Sequence, residues 1–447
     1  MQLAYFMFYI NQKAWVIAVN MGYGHQRTAN PLKYLAFEGK IINANDYTEI
    51  PINDKKIWET ARNFYEFISR LSRIPLIGKF IFSFYDHFQK IFVFYPKKNL
   101  SKLNIALKLI YFFIKRGWGK HLIEKLKENP LPIITTFFVP AFMAEFFNYP
   151  GEIFCVVCDA DINRAWAPLN CQKSKIKYFV PNQRTLERLK LYGVKPENIF
   201  LTGYPLPLEN ISLQKNEISK MEILKEDLKY RLLNLDPKNR YFEKYQKLIE
   251  KNLGKLHKKS NHPLTIMFSV GGAGAQKEIG IKIIKKLASQ IEQGKIKIIL
   301  AVGIKEKIKK YFEQIFSKTN EEQFFINQGI EILSGNNIED YFQKFNLALR
   351  KTDILWTKPS ELSFYNALGI PIIIAPSIGS HEEFNKRWLL KSGFGLCQEN
   401  PNCITEWLFD WLNHGYLAEA AMQGFIKGEK MGTFNIEQII VNSCANF

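Results

Sequence analysis

A chain of 447 residues that is 47% hydrophobic is long enough for two domains with large cores, and too apolar to be a disordered polypeptide. Its 61 Lys and Arg against 42 Asp and Glu leave a net charge of +19, which implies an anionic partner: nucleic acid, a membrane surface or a phosphorylated substrate. The six cysteines, Cys155, Cys158, Cys171, Cys397, Cys403 and Cys444, follow no framework spacing, so a disulfide scaffold is excluded and a reducing cytoplasm is expected.

The N-terminus, Met1 to Ile10, lacks the basic start and small-residue cleavage site of a secretory leader. No uninterrupted apolar run approaches the roughly 18 residues needed to span a bilayer, so a soluble or peripheral protein is expected. The first strand is predicted over Trp15–Val19. It feeds the turn Asn20-Met-Gly-Tyr-Gly-His-Gln-Arg-Thr-Ala29, and a helix is expected through Leu32, Tyr34 and Leu35. A strand, a glycine-bearing turn and a helix start form a place to hold a ligand. Gly22 and Gly24 let the backbone bend and approach a substrate. His25 stands at the mouth of the turn, and an imidazole there suits general-base chemistry toward a hydroxyl.

Between Ile77 and Tyr95, apolar residues fall on one face of a helix. A basic and apolar stretch from Lys97 to Trp118 follows. Aromatics flanked by lysines suit a helix in the headgroup layer of an anionic membrane, or an amphipathic subdomain packed on the core. Further strands are predicted at Ile133–Phe138, Ile153–Cys158, Tyr178–Val180 and Ile199–Thr202, with a helix over Asn182–Tyr192. This alternation argues for a parallel sheet covered by helices. After the second of these strands, Asp159 is placed to orient a base or accept substrate hydroxyls, Arg164 to bind a phosphate and Trp166 to stack on an acceptor. The same carboxylates could instead cap a helix.

The stretch 206–262 is rich in Lys, Glu, Leu and Asn and reads as charged helices, a linker or an insertion. A second α/β pattern begins at Leu264–Val270 and continues at Ile296–Val302, Ile330–Leu333, Ile354–Trp356 and Pro371–Ala375. Its first strand opens into Gly271-Gly-Ala-Gly-Ala275, whose small residues permit backbone amides to approach a diphosphate. It matches neither a P-loop nor GxGxxG. Lys358, Ser360 and Glu361 follow the strand at Ile354, and His381, Glu382 and Asn385 lie in the loop after Pro371–Ala375. Loops at the carboxyl ends of parallel strands are where open α/β sheets bind ligands, and these side chains suit sugar or ribose hydroxyls. The tail from Ile404 carries aromatic helical stretches with Trp407, Trp411 and Phe425.

In their order along the chain, these segments resemble GT-B glycosyltransferases of the family-28 type. That group includes the monogalactosyldiacylglycerol synthases and the N-acetylglucosaminyltransferase acting on undecaprenyl-linked muramyl peptide. The matching pieces are Gly22 to Ala29, the strand before Asp159, Tyr178-Phe-Val-Pro-Asn182, Gly193-Val with Ile199 to Pro205, and Gly271 to Ala275. Thr357-Lys358, Gly369-Ile-Pro371 and His381-Glu-Glu-Phe-Asn385 complete the set. The chain departs from the family after Thr-Lys, where the usual glycine-rich turn is Pro359-Ser-Glu-Leu362, with Glu361 as the stand-in for a ribose-binding carboxylate. It departs again at Arg164, where the galactolipid enzymes carry histidine.

The resemblance implies an α/β fold of two Rossmann-like domains with parallel sheets facing a central cleft. Residues 1–205 would be the acceptor domain, with an amphipathic helical insertion at about 55–125. Residues 206–262 would be a charged linker, 263–414 the nucleotide-sugar domain, and 415–447 a tail crossing back. It implies inverting transfer from a nucleotide sugar, most often UDP-linked, to a membrane-lipid-like acceptor. No obligatory metal or other cofactor is expected, nor a nucleic-acid partner, and the enzyme would sit in the cytoplasm at the inner face of the membrane. His25 would be the base, aided by Asp159. Gly271, Gly272, Ala273, Gly274, Ala275, Lys358, Ser360, Glu361, His381, Glu382 and Asn385 would contact the donor, and Gly22, Gly24, Arg164 and Trp166 the acceptor. A UDP-sugar 2-epimerase on the same fold, or a non-catalytic RNA- or lipid-binding scaffold, are the alternatives.

Overall fold

The computed structural model describes residues 13–71, 91–270, 274, 276–317 and 329–444. Gly271, Gly272, Ala273 and Ala275, and most of the predicted amphipathic helix from Ile77, lie outside the described residues. The chain divides into two compact units. The first holds the residues up to Leu206, Ile378–Asn385 and the segment from Met431; the second holds Pro207–Ser377 and Lys386–Lys430.

The first unit is a six-stranded parallel sheet of β1 (Trp15–Ala18), β2 (Ile42–Asn43), β3 (Ile133–Thr135), β4 (Ile153–Val156), β5 (Lys177–Val180) and β6 (Ile199–Leu201), ordered β2-β1-β3-β4-β5-β6. The chain turns first to one side of β1 and then to the other, which makes the gap between β1 and β3 the topological switch point. The predicted strands are found; β5 ends at Val180 as expected, and the other four end sooner than their apolar runs. β2 was not legible: it is a two-residue edge strand with no alternation to mark it. The helix expected at Leu32 is α1 (Tyr23–Ala29), continued as a 3-10 turn over Asn30–Leu35 where Pro31 removes a backbone donor.

Next come α2 (Ile52–Leu71), α3 (Ile105–Lys115), α4 (Lys120–Lys127), α5 (Phe138–Phe146) and α6 (Gln183–Leu191). Asn182 caps α6 by accepting the Thr185 amide at 2.9 Å. A buried cluster of Val16, Ala18, Leu32, Ile134, Phe154, Val156 and Phe179 is closed by Ile436 and Ile440 of the last helix, Gly432–Cys444. That helix approaches so closely at Gly432 that a Cβ would collide with the Tyr204 carbonyl. Asn435 Nδ2 then donates to Thr202 O at 2.8 Å.

The second unit is another six-stranded parallel sheet of β7 (Leu264–Ser269), β8 (Ile296–Gly303), β9 (Ile330–Ser334), β10 (Ile354–Thr357), β11 (Ile372–Ile374) and β12 (Gly395–Cys397), ordered β12-β11-β10-β7-β8-β9. Counted from its first strand, this is the dinucleotide-fold order, and its switch point lies between β7 and β10. The nearly continuous Ile, Leu and Phe of β7, β8 and β10 suit strands buried on both faces. The charged stretch before β7 forms α7 (Glu222–Leu235) and α8 (Arg240–Leu253), both within the second unit. Arg231 of α7 is 2% exposed and donates to the Thr352, Leu368, Gly369 and Leu349 carbonyls. Four carbonyls are what makes a buried guanidinium tolerable there. The helices α9 (Lys277–Glu292), α10 (Glu306–Phe316) and α11 (Ile338–Leu349) cover this sheet, and α12 (Ser380–Ser392), α13 (Ile404–Asn413) and α14 (Tyr416–Lys427) follow β11. Two parallel α/β sheets of this kind make up the GT-B fold class. Among the described residues no helix is long and apolar enough to cross a membrane.

Candidate active site

At the carboxyl end of β1 the backbone turns at Gly22, with φ 104° and ψ 175°. That region is essentially reserved for glycine. A Cβ at Gly22 would meet nothing within 4 Å, so the requirement is conformational, not steric. The turn delivers His25 in the first turn of α1, half-buried beside β3.

His25 Nδ1 lies 2.8 Å from the Thr136 carbonyl oxygen. A carbonyl only accepts, so Nδ1 carries the proton, and in the neutral form of the ring Nε2 is the basic nitrogen. The pairing is reciprocal: Thr136 Oγ1 donates to the His25 carbonyl at 3.0 Å. The ring packs edge-on against Phe137, centroids 4.8 Å apart, and Cys158 Sγ lies 3.6 Å from Nδ1. The imidazole is therefore held from β3 and β4, across the switch point. Thr136 was not singled out in the sequence, because its contribution is a carbonyl and a hydroxyl at a strand end, a position no residue type signals.

Asp159 follows β4. Its Oδ1 accepts the Asn385 side-chain amide at 3.1 Å, and Asn385 Oδ1 accepts the Ala160 backbone amide at 2.7 Å. Asn182 Nδ2 and Thr185 Oγ1 both donate to the Ala160 carbonyl, at 3.1 and 3.0 Å. One residue further, buried Asp161 pairs with Arg184 Nε at 2.9 Å and Arg188 Nε at 2.8 Å. Burial opposes the Arg188 charge, but the Asp161 hydrogen bonds and charge outweigh it and hold the guanidinium above its ordinary pKa. The loop 159–161 is thus fixed from two elements, α6 with its N-cap and α12. The acceptor that orients His25 Nδ1 is the Thr136 carbonyl, a role the sequence offered to Asp159.

Four expected ligand contacts are spent on the fold. Arg164 is 2% exposed and its guanidinium donates to Ser101 O, Ala167 O and Pro168 O, so it pins a loop instead of meeting a phosphate. Trp166 is buried, with the Phe137 and Phe138 rings at 6.2 and 5.0 Å, so it packs in the core. Glu382 is buried and its Oε2 accepts the Ile378 and Gly379 amides at 2.6 and 3.3 Å, capping α12. Asn385 is fully buried with both ends of its amide on the Asp159–Ala160 loop. The side chain of His381, in the first turn of α12, lies outside those described.

In the second unit, Gly274 and α9 follow β7, and β10 leads to Lys358, Ser360 and Glu361, so these segments border the switch point. Gly274 has φ +70° and Ile308 Cδ1 would lie 2.9 Å from an added Cβ. Gln276 Nε2 donates to the Pro376 carbonyl at 2.6 Å, tying the start of α9 to the loop after β11. Ser360 precedes a 3-10 helix over Glu361–Leu368 and its carbonyl accepts the Ser363 amide at 2.9 Å. Lys358, Ser360 and Glu361 are partly exposed.

Residues 249–397 match a family model described as a domain of unknown function, DUF6938. Across nearly the whole chain the sequence is similar to two enzymes named processive diacylglycerol beta-glucosyltransferase. That of Bacillus licheniformis is 21% identical over 89% of this chain and 85% of its own length; that of Bacillus subtilis is 20% identical over 89% and 86%. Solved structures that align with it include MurG of Acinetobacter baumannii, with a TM-score of 0.47 and 12% identity over 96% of this chain and 99% of that one. A UDP-GlcNAc 2-epimerase from Neisseria meningitidis bound to UDP-GlcNAc aligns with a TM-score of 0.47 and 11% identity over 78% and 84%. The chain is thus glycosyltransferase-like in sequence, on an α/β fold of the GT-B class.

Proposed function

We propose that this chain is an inverting glycosyltransferase that moves a sugar from a nucleotide sugar, UDP-linked, to a hydroxyl of a lipid acceptor at an anionic membrane surface. The observation that carries the reading is the 2.8 Å bond from His25 Nδ1 to the Thr136 carbonyl, which leaves Nε2 as the basic nitrogen at a sheet switch point. The similarity to the diacylglycerol glucosyltransferases supports the substrate classes. His25 Nε2 takes the acceptor hydroxyl proton as that oxygen attacks the anomeric carbon. The bond from that carbon to the diphosphate oxygen breaks, and its electron pair leaves with the nucleoside diphosphate. Backbone amides of residues 271–275 and of the start of α9 offset the charge on the departing group, and Lys358, Ser360 and Glu361 hold the nucleotide.

A membrane surface is supported by α3. Leu107, Tyr111 and Ile114 are buried, whereas Ile105, Leu109 and Phe112 on another face are 59, 51 and 44% exposed. Exposed Lys102, Lys108, Lys115 and Arg116 surround that outer stripe, and the Arg116 guanidinium lies 4.2 Å from the Phe112 ring. Apolar residues flanked by cations are the composition of an interfacial helix.

The test is a panel of nucleotides and nucleotide sugars in thermal denaturation, followed by product analysis. A ligand at about 100 times its Kd adds about 2.7 kcal/mol to the stability of the state it binds. UDP and one UDP-sugar are expected to raise Tm, and transfer is expected only with a lipid acceptor present. An epimerised sugar formed without acceptor would replace this reading with the epimerase, and no response to any nucleotide would remove it.

A further inference from the structure

Beside the Gly22 turn, at the carboxyl ends of β1 and β2, lies a concave site of about 190 Å³ lined by Asn20, Asn45, Asp46, Lys55, Trp58 and Glu59. Its rim is built before any ligand arrives. The Asn20 amide donates to Asn45 Oδ1 at 2.7 Å, and Asn45 Nδ2 donates back to Asn20 O at 3.1 Å, so the two loops are paired. Trp58 is 4% exposed and forms the apolar wall. It is wedged edge-on against Trp118 at 4.7 Å and lies 6.3 Å from Phe137, the ring that also packs on His25. One aromatic side chain thus separates this site from the imidazole.

The lining has the wrong charge for an anionic ligand. In a protein of net charge +19, it carries two carboxylates, Asp46 and Glu59, against one ammonium, Lys55, whose Nζ is 3.7 Å from Asp46 Oδ1. A phosphate entering here would meet both carboxylates. A neutral polyol would not. Its hydroxyl hydrogens suit the carboxylates, its oxygens suit Lys55 and an Asn amide, and its C–H face suits the indole. The volume is below the roughly 300–1,000 Å³ of pockets for drug-sized ligands, so it admits one small ring or a three-carbon unit and no acyl chain.

We infer that this pocket is the acceptor head-group subsite, and that it recognises a neutral polyhydroxylated group, glyceryl or glycosyl, next to the hydroxyl that His25 deprotonates. The inference rests on the transferase reading for its role, and on the lining alone for its ligand class. The second part is tested by binding. In the full chain, the indole N–H resonance of Trp58, assigned with Trp58→Phe, is followed during titration with glycerol, methyl β-glucoside and inorganic phosphate. A shift with either polyol and none with phosphate is expected. Phosphate binding in preference, or no response to any of the three, overturns the assignment whatever the chain catalyses.

The role is tested by kinetics with short-chain diacylglycerol and its glucosylated counterpart as acceptors, which separates the two head groups. Glu59→Gln and Asp46→Asn keep the volume and remove one charge each from exposed positions. Each is expected to raise acceptor KM about tenfold, the loss of one charge-assisted hydrogen bond, with kcat at saturating acceptor within twofold and UDP affinity unaltered. An unchanged KM in the double variant sinks the subsite while leaving the transferase standing. A wild-type protein that binds glycosides here but never engages UDP sinks the transferase reading instead.

Discussion

The two switch points are furnished differently. In the first unit, the loops after β1, β3 and β4 are wired together by side chains: His25 to Thr136, Cys158 beside the imidazole, and Asp159 and Ala160 to Asn385. In the second, the corresponding place is bordered by backbone turns, with Gly274 at φ +70° and Ser360 ahead of a 3-10 helix, and by partly exposed Lys358 and Glu361. The contrast fits the two tasks proposed for them. Proton transfer needs one nitrogen held to within a fraction of an ångström, so its neighbours are spent on positioning. Holding a diphosphate needs several donors of modest precision, which backbone amides at a turn supply without dedicated side chains.

The comparison breaks hardest at His25. His25→Ala removes the proposed base and leaves the second unit untouched, so kcat is expected to fall by about 100- to 10,000-fold, or about 2.7–5.4 kcal/mol of barrier. UDP affinity, read by thermal shift, is expected to stay the same. Turnover that survives at wild-type rate would place the chemistry elsewhere, and a parallel loss of UDP affinity would show that the two sites are not separate.

Asn385 probes the wiring around the base. Its amide is fully buried and bonded at both ends, so Asn385→Ala leaves the Asp159 carboxylate and the Ala160 amide without those partners. Each such loss costs about 1–3 kcal/mol. The expected outcome is a lower Tm and a fall in kcat smaller than that of His25→Ala. A variant as stable and active as the wild type would mean the loop needs no anchor.

This residue also shows where sequence reading stops. The alternation of apolar runs with turns gave most strands of both sheets, because strands buried in a parallel sheet are continuously apolar; the two missed strands, Ile42–Asn43 and Gly395–Cys397, are short edges. Glycine positions and the histidine between them were legible for the same reason: few residues tolerate that backbone, and few carry that chemistry. What was not legible is which polar side chains the fold consumes. Asn385, Glu382 and Arg164 have the right types for ligand contacts, yet each is buried and bonded to backbone or to a neighbouring carboxylate. Burial depends on the packing of distant segments, such as Ser101 over Arg164, and a single sequence does not encode that pairing locally.

The smallest effects separate the two turns most cleanly. Gly22 and Gly274 both have positive φ, so alanine strains either backbone by about 1–3 kcal/mol. Their surroundings differ. At Gly22 an added methyl meets nothing within 4 Å, so the turn can keep its place or relax by moving α1, and His25 moves with it. At Gly274 the methyl meets the far end of the Ile308 side chain, which can give way, so the strain falls on the backbone around residue 274, where the diphosphate is proposed to sit. Gly22→Ala should therefore lower kcat severalfold with UDP affinity preserved, and Gly274→Ala should weaken UDP severalfold with kcat preserved. Gly39→Ala, with φ +66° and open space but outside both turns, is the control and should alter only Tm. If both turn variants changed the same kinetic constant, the division of labour between a locked side chain and a compliant backbone would be wrong, because strain of equal size would then be felt at one common place.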